Sequence, residues 1–148
     1  MNLVRVITYG TFDLLRAVHL DFLEQVAALG DELFVGVSTD AFSRLKGERC
    51  VIGFEARIRL VSALRCVTAV LPEYGWEQKS MDVRRLGVDV LGIGGEWTGR
   101  LDFLRPWCRV VYLPRAEILS TALPRRAVRQ RRPSPVVLPA PFEPRASA

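Results

Sequence analysis

Residues 8–19 combine the residue types and the spacing from which phosphate-binding sites are built. They read Thr-Tyr-Gly-Thr-Phe-Asp-Leu-Leu-Arg-Ala-Val-His and lie between an apolar run at residues 3–7 and an amphipathic run at residues 19–29. A strand, a tight glycine turn and the start of a helix together present backbone N–H groups and the positive end of a helix dipole to an anion. The block therefore predicts a binding site for a phosphate group.

The elements that must position this block alternate along the chain. Apolar runs predict strands at residues 3–8, 32–38, 67–71, 89–93 and 109–113, the third of them stopped by Pro72. Helical spacing predicts helices at residues 19–29, 54–64 and 78–86, and residues 40–53 read as a polar loop. This alternation predicts an α/β fold, a Rossmann-like doubly wound parallel five-stranded sheet with helices on both faces.

Polar segments follow all five predicted strands. They are residues 9–13, 38–46, 72–79, 94–97 and 114–121. In a doubly wound sheet the ligand binds at the carboxyl ends of the strands, where the strand order reverses. We therefore expect these segments to converge on one site.

Charge divides the chain into two parts. Residues 1–123 contain 15 Lys/Arg and 15 Asp/Glu, whereas residues 124–148 contain six Arg and one Glu. We expect one domain over residues 1–123 and a disordered Pro/Arg-rich tail over residues 124–148. Because the body of the chain is neutral, nucleic acid is not an expected partner, although the arginines of the tail leave weak binding open as an alternative.

Several classes of protein are disfavoured by what the sequence lacks. No run of 18 apolar residues and no basic-then-apolar leader is present, so we expect no membrane span and a cytoplasmic location. One histidine and three cysteines without a Cys-x-x-Cys pair make a zinc site unexpected. The absence of a Gly-x-Gly-x-x-Gly fingerprint argues against a nicotinamide dehydrogenase.

Over residues 3–121 the chain resembles the bacterial glycerol-3-phosphate cytidylyltransferases, a branch of the nucleotidyltransferase superfamily. The resemblance is carried by residues 7–15 (Ile-Thr-Tyr-Gly-Thr-Phe-Asp-Leu-Leu), 38–42 (Ser-Thr-Asp-Ala-Phe), 76–79 (Trp-Glu-Gln-Lys), Gly94 with Trp97, 102–104 and 110–115. The order and spacing of these segments are more specific than any one of them. The segments at 38–42 and 76–79 favour this branch over related cytidylyltransferases and adenylyltransferases.

The resemblance implies transfer of CMP from CTP to sn-glycerol 3-phosphate, which gives CDP-glycerol and pyrophosphate. It implies Mg²⁺ with the CTP substrate and suggests a homodimer. A phosphate oxygen of the acceptor attacks the α-phosphorus in line, and no covalent enzyme intermediate is required. Catalysis then consists of positioning the substrates and stabilising charge on the triphosphate.

The resemblance also implies three groups of site residues and no metal ligand from the protein. The catalytic candidates are His19, Lys46 and Arg16. The nucleotide-binding candidates are Tyr9, Gly10, Thr11, Phe12, Asp13, His19, Lys46, Gly94, Arg115, Ser120 and Thr121. The acceptor-binding candidates are Asp40, Arg57, Trp76 and Lys79. Structural alternatives stay open for many of them, namely turn or helix capping for Asp13, His19, Ser120 and Thr121, packing for Trp76, and surface charge for Lys46, Arg57 and Lys79.

This chain departs from the family pattern at several positions. The family ends its first block with His-x-Gly-His, where this chain has Arg16, Ala17, Val18 and His19. Arginine keeps a charge that binds phosphate, whereas a β-branched valine takes space and disfavours a positive φ. Further departures are Glu48 for a second lysine, Gly95 for an acid and Ile118 for a glycine. They leave a second hypothesis open, a catalytically degenerate member that binds nucleotide or a protein partner without turnover.

Overall fold

The computed structural model describes residues 2–114, 136–139 and 141, and its centre is a parallel sheet of six strands. In chain order the strands are β1 (Arg5–Gly10), β2 (Glu32–Ser38), β3 (Ala69–Glu73), β4 (Val90–Gly94), β5 (Arg109–Leu113) and β6 (Val136–Val137). The helices are α1 (Ala17–Ala27), α2 (Asp40–Leu45), α3 (Phe54–Ser62) and α4 (Gln78–Arg85), with 3₁₀ turns at Gly95–Trp97 and Asp102–Leu104. The predicted Rossmann-like α/β class is confirmed. Among the described residues, no helix combines the length and the apolar character that crossing a bilayer requires.

Both faces of the sheet are buried, as near-continuous apolar strands predict. Successive residues of β1 point to opposite faces, so that Val6 belongs to one core cluster and Ile7 to the other. Leu23 of α1 and Val61 of α3 pack in the Val6 cluster, and Val83 of α4 packs in the Ile7 cluster. Helices therefore cover both faces of the sheet, as predicted.

The strand order β5-β4-β1-β2-β3-β6 reverses between β1 and β4. The chain builds outward from β1 through β2 to β3 and then crosses back to place β4 on the other side of β1. This reversal puts the carboxyl ends of the neighbouring parallel strands β1 and β4, Gly10 and Gly94, at the same edge of the sheet. A ligand cleft is expected at this edge of the sheet.

Two local predictions were wrong. The predicted loop at 40–53 begins with helix α2, which starts because the Thr39 hydroxyl accepts a hydrogen bond from the Phe42 N–H at 3.1 Å. Strand β3 does not stop at Pro72 but continues to Glu73. The Glu73 carbonyl accepts a hydrogen bond from the Thr39 N–H, so Glu73 faces β2. Pro72, one residue earlier, therefore directs its nitrogen away from β2, and its missing N–H costs no hydrogen bond with β2.

The sixth strand was not predicted. Val136 and Val137 pair in parallel with Ala69 and Val70, and the Leu138 N–H donates to the Val70 carbonyl at 2.7 Å. Three apolar residues between Pro135 and Pro139 are too few to show a periodicity, which is why the sequence did not reveal this strand. The sheet therefore has six strands rather than five. Apart from residues 136–139 and 141, the predicted tail lies outside the described residues, so the boundary at residue 123 stays a prediction.

Candidate active site

A cleft of about 770 Å³ opens at the carboxyl ends of β1, β3 and β4. Its walls include most of the predicted site residues, namely Tyr9, Gly10, Thr11, Phe12, Asp13, Arg16, His19, Lys46, Trp76, Lys79 and Gly94. The expected convergence is therefore present for the four polar segments that the structure describes in full. Arg115, Ser120 and Thr121 lie outside the described residues, and their predicted roles stay predictions.

The turn after β1 has a constrained backbone. Phe12 and Leu14 adopt positive φ angles of 54° and 49°, a region that side chains other than glycine rarely enter. The Phe12 ring is buried in the core beside Gly10, where an added Cβ would lie 2.8 Å from that ring. Glycine at position 10 and burial of Phe12 together fix the path of the backbone along the cleft.

Asp13 connects this turn to the loop that follows α2. Its carboxylate accepts hydrogen bonds from the Val51 N–H at 2.8 Å and from the Ile52 N–H at 2.9 Å. These bonds hold the pKa of Asp13 below its ordinary value. Asp13 lines the cleft as predicted, and its clearest role in the structure is to position the loop that carries Lys46 and Arg49.

His19 lies in the first turn of α1 with a defined ring orientation. The backbone N–H of Arg16 donates to His19 Nδ1 at 2.9 Å, and the ring packs edge-on against Phe12. Because Nδ1 is an acceptor, the neutral ring carries its proton on Nε2, where it can be donated to an anion. Val18 lies in the same helical turn, so position 18 requires no positive φ and the valine causes no backbone strain.

Lys46 reaches back to the β1 turn from the end of α2. Its ammonium donates to the Ser38 hydroxyl at 2.9 Å and to the Thr11 hydroxyl at 3.1 Å. Glu48 shares this position, since its carboxylate accepts a hydrogen bond from the Thr11 hydroxyl and lies 3.8 Å from the Lys46 ammonium. A lysine and a carboxylate therefore meet over the same turn.

A buried ion pair forms the floor of the cleft. The Lys79 ammonium donates to the Glu73 carboxylate at 2.5 Å, and both residues are only 2 % exposed. The same ammonium lies 4.6 Å from the centre of the Tyr9 ring and 5.0 Å from that of Trp76. Sequence reasoning included Lys79 but missed Glu73, whose only signal was an acid directly after Pro72 at the end of a strand.

Tyr9 contributes its ring to the cleft and its hydroxyl to the core. The hydroxyl donates to Asp82 of α4 at 2.8 Å, and burial raises the pKa of both Tyr9 and Asp82. Gly36 on the neighbouring strand leaves room for this ring, because an added Cβ there would collide with it. Any contact of Tyr9 with a ligand would therefore involve its ring.

Arg57 and Asp40 were predicted to bind the acceptor, but the structure does not bring them into the cleft lining. Arg57 is fully buried, and one of its nitrogens donates to the carbonyls of Thr11 at 2.7 Å and Ser38 at 2.8 Å. A second nitrogen donates to Asp40 at 2.8 Å, which lowers the pKa of that carboxyl group. Because these donors are committed to the ends of β1 and β2 and to the start of α2, Arg57 supports the backbone beside the cleft.

The rim of the cleft carries two tryptophans. Trp76, which is 45 % exposed, lies 5.3 Å from Trp97, measured between ring centres. Gly94, the last residue of β4, precedes Trp97 by three residues, and both Gly94 and Glu96 line the cleft. Within the described part of the chain, no group of three or more His, Cys, Asp or Glu side chains is arranged to hold a metal ion.

Comparison with known proteins places this chain among the nucleotidyltransferases. The profile of the family described as "Cytidylyltransferase-like" matches residues 7–131. The chain is 45 % identical over 117 residues to the glycerol-3-phosphate cytidylyltransferase of Bacillus subtilis, which covers 79 % of this chain and 91 % of that protein. It is 44 % identical to the Staphylococcus aureus protein of the same name, covering 79 % of this chain and 89 % of that one. The crystal structure of a lipopolysaccharide core biosynthesis protein from Thermoplasma volcanium superimposes with a TM-score of 0.64 at 27 % identity, over 76 % of this chain and 97 % of that one.

Proposed function

The chain belongs to the cytidylyltransferase-like family, and we propose that it transfers CMP from CTP to sn-glycerol 3-phosphate, releasing pyrophosphate. Two relatives with more than 40 % identity carry the name of this activity. The observation that carries the proposal is the cleft at the strand-order reversal, where Lys46 and His19 meet the glycine turn after β1. A triphosphate at this position would find backbone amides, a cation and a helix N-terminus together.

The residues divide into two subsites across the cleft. On the β1 side, the Lys46 ammonium and the Nε2–H of His19 would stabilise negative charge on the triphosphate as the bond to pyrophosphate breaks. Arg16 adds a permanent charge to the same wall. On the β3 side, Lys79 beside Trp76 is the cation available to the acceptor phosphate. No nucleophilic side chain is needed, because the acceptor oxygen attacks the α-phosphorus directly.

Magnesium would enter this cleft with CTP, as part of the substrate. Mg²⁺ at nucleotide sites is held by one or two carboxylates, phosphate oxygens and water. Glu48 and Glu96 line the cleft and fit this requirement, although no cluster of three such ligands exists in the described chain. When bound, the ion would neutralise part of the triphosphate charge.

The alternative, a family member that binds without turnover, is not favoured. Its relatives are named as enzymes, and the departures at Arg16 and Val18 leave the fold of the turn intact.

The homodimer implied by the family is also a proposal, and light scattering of the purified chain would test it by molar mass. The cytoplasmic location stays a prediction.

Turnover tests the proposal directly. Pyrophosphate release should require CTP, Mg²⁺ and sn-glycerol 3-phosphate together, and omission of any one should abolish it. Lys46→Met should lower kcat/KM by about a hundredfold or more, because it removes a charge that stabilises the transition state. Folded protein that releases no pyrophosphate with the three components present would refute the activity, and faster release with another phosphorylated acceptor would refute the choice of substrate.

A further inference from the structure

The cleft floor contains a buried carboxylate to which the proposed reaction assigns no role. Glu73, at the end of β3, is 2 % exposed, and burying a carboxylate is unfavourable unless it is paired and hydrogen-bonded. Both of its oxygens have partners. One accepts from the Lys79 ammonium at 2.5 Å and the other accepts from the Ser38 hydroxyl at 2.6 Å.

Ser38 extends this pair to a second lysine. Ser38 is fully buried at the end of β2, and its hydroxyl oxygen accepts from the Lys46 ammonium at 2.9 Å. A single carboxylate thus contacts Lys79 of α4 directly and Lys46, at the end of α2, through one hydroxyl. These two cations come from different elements, both line the cleft, and both lie near the Phe42 ring, at 5.1 Å for Lys46 and 5.8 Å for Lys79.

The direction of the hydrogen bonds follows from the charge on Glu73. An ionised carboxylate only accepts hydrogen bonds, so the Ser38 hydroxyl must donate its proton to it. The Gly10 carbonyl, a second acceptor within reach of that proton, is farther away at 3.3 Å. With its proton committed, the Ser38 oxygen presents lone pairs to Lys46 and fixes the position of that ammonium.

We propose that Glu73 is a positioning residue that fixes the relative position of the cations of both substrate subsites. It holds Lys79 directly and Lys46 through Ser38. The inference rests on the proposed function, which assigns Lys46 to the triphosphate and Lys79 to the acceptor phosphate. The attacking oxygen and the α-phosphorus must meet in line, so a shared anchor for the two cations fixes the distance that the reaction depends on. The network has two branches, and each can be removed separately.

Two substitutions distinguish this role from a purely structural one. Glu73→Gln keeps the shape but removes the charge, and it should raise KM for both CTP and glycerol 3-phosphate about tenfold, because both lysines lose their anchor. Ser38→Ala removes only the Lys46 branch. It should raise KM for CTP about three- to tenfold and leave KM for glycerol 3-phosphate within about twofold. Asp82→Asn is the matched control, a buried carboxylate whose partners are Tyr9, Gln78 and Arg85, and it should shift neither KM in this pattern.

The outcomes separate this inference from the proposed function. If the wild type is active, two results would overturn the inference and leave the function intact. One is that Glu73→Gln changes neither KM, and the other is that Ser38→Ala raises both KM values equally. If Glu73→Gln fails to fold, Ser38→Ala decides the question alone, since it leaves the Glu73–Lys79 pair in place. A folded wild type without turnover would overturn the proposed function and the inference with it.

Discussion

Glu48 places a negative charge beside the Thr11 hydroxyl and the Lys46 ammonium, two groups that the proposed reaction needs for binding a phosphate. Its carboxylate accepts from the Thr11 hydroxyl and lies 3.8 Å from the Lys46 ammonium, with nearly half of its side chain exposed. Gly47, with a φ of 82°, makes the turn that brings Glu48 over the cleft. A bound triphosphate must displace this carboxylate or accept it as a neighbour.

Removing that charge should strengthen the binding of free nucleotide. Glu48→Gln should tighten the binding of metal-free CTP about three- to tenfold, the range expected for one unit charge a few ångströms away across a largely aqueous gap. Calorimetric titration without Mg²⁺ measures the affinity. Glu55→Gln, on α3 and outside the cleft lining, controls for the loss of an acid. Unchanged or weaker binding in Glu48→Gln would show that the carboxylate does not compete with phosphate.

Arg57 provides a second test at the level of single residues, because sequence and structure assign it different roles. The resemblance implies contact with the acceptor, whereas the structure commits its guanidinium to Thr11, Ser38 and Asp40. Arg57→Lys should therefore lower the free energy of unfolding by about 3 kcal/mol, since lysine cannot reach these acceptors and the Ile52 carbonyl together. Chemical denaturation measures the change. Unaltered stability with a raised KM for glycerol 3-phosphate would restore the acceptor-binding role.

The turn after β1 and the loop after α2 behave as one unit because Asp13 joins them. The carboxylate of Asp13 holds the N–H groups of Val51 and Ile52, and the loop between α2 and this clamp carries Arg49 toward the cleft. Two loops that each lack regular structure thereby obtain a fixed relative position. The site depends on this junction as much as on the strands.

Lowering the pH should break the hydrogen bonds by which Asp13 holds the loop after α2. The folded chain lowers the pKa of Asp13, so the stabilisation is present above the ordinary value of 3.8 and is lost as the pH falls through the folded-state pKa. The amide NMR signals of Val51 and Ile52 should shift with a midpoint below 3.8. The transition should vanish in Asp13→Asn. A midpoint at or above 3.8 in the wild-type chain would contradict the clamp.

How much of each element could be predicted depended on the length of its pattern. The strands β2 and β5 were predicted with the observed bounds, because each is an apolar run ended by polar or turn-forming residues. Helix α2 has six residues, too few for helical spacing to stand out in a polar segment. The hydrogen bonds of Asp13 with Val51 and Ile52, of Glu73 with Ser38 and of Arg57 with Thr11 connect residues far apart in the sequence. Only the folded chain shows these contacts.

At the scale of the whole molecule, the reversal of strand order determines where the chemistry can occur. Of the five polar segments scattered over the sequence, the four that the structure describes in full contribute to a single cleft at one edge of the sheet. This convergence could be predicted from alternation alone. The contribution of the C-terminal segment could not be predicted. Strand β6 pairs with β3 through only two residues, which is too short a run to be recognised as a strand in the sequence.

Truncation tests what β6 contributes. A chain that ends at residue 131 loses β6 and the half-buried Leu138, which packs against the core. Its Tm should fall by a few degrees, as expected for the loss of about 1 kcal/mol, while CTP binding is retained. Leu138→Ala in the full chain should reproduce most of the decrease. An unchanged Tm would show that β6 adds no stability, and lost CTP binding would show that the segment belongs to the site.

A crystal structure of the chain with CTP would show whether the triphosphate lies against the turn after β1, the contact from which the proposed chemistry follows. We predict phosphate oxygens at the backbone of Gly10 and Thr11 and within hydrogen-bonding distance of Lys46 Nζ and His19 Nε2, with Glu48 no longer bonded to Thr11. Nucleotide bound elsewhere, with Lys46 still bonded to Thr11 and Ser38 and with Glu48 in place, would contradict the account.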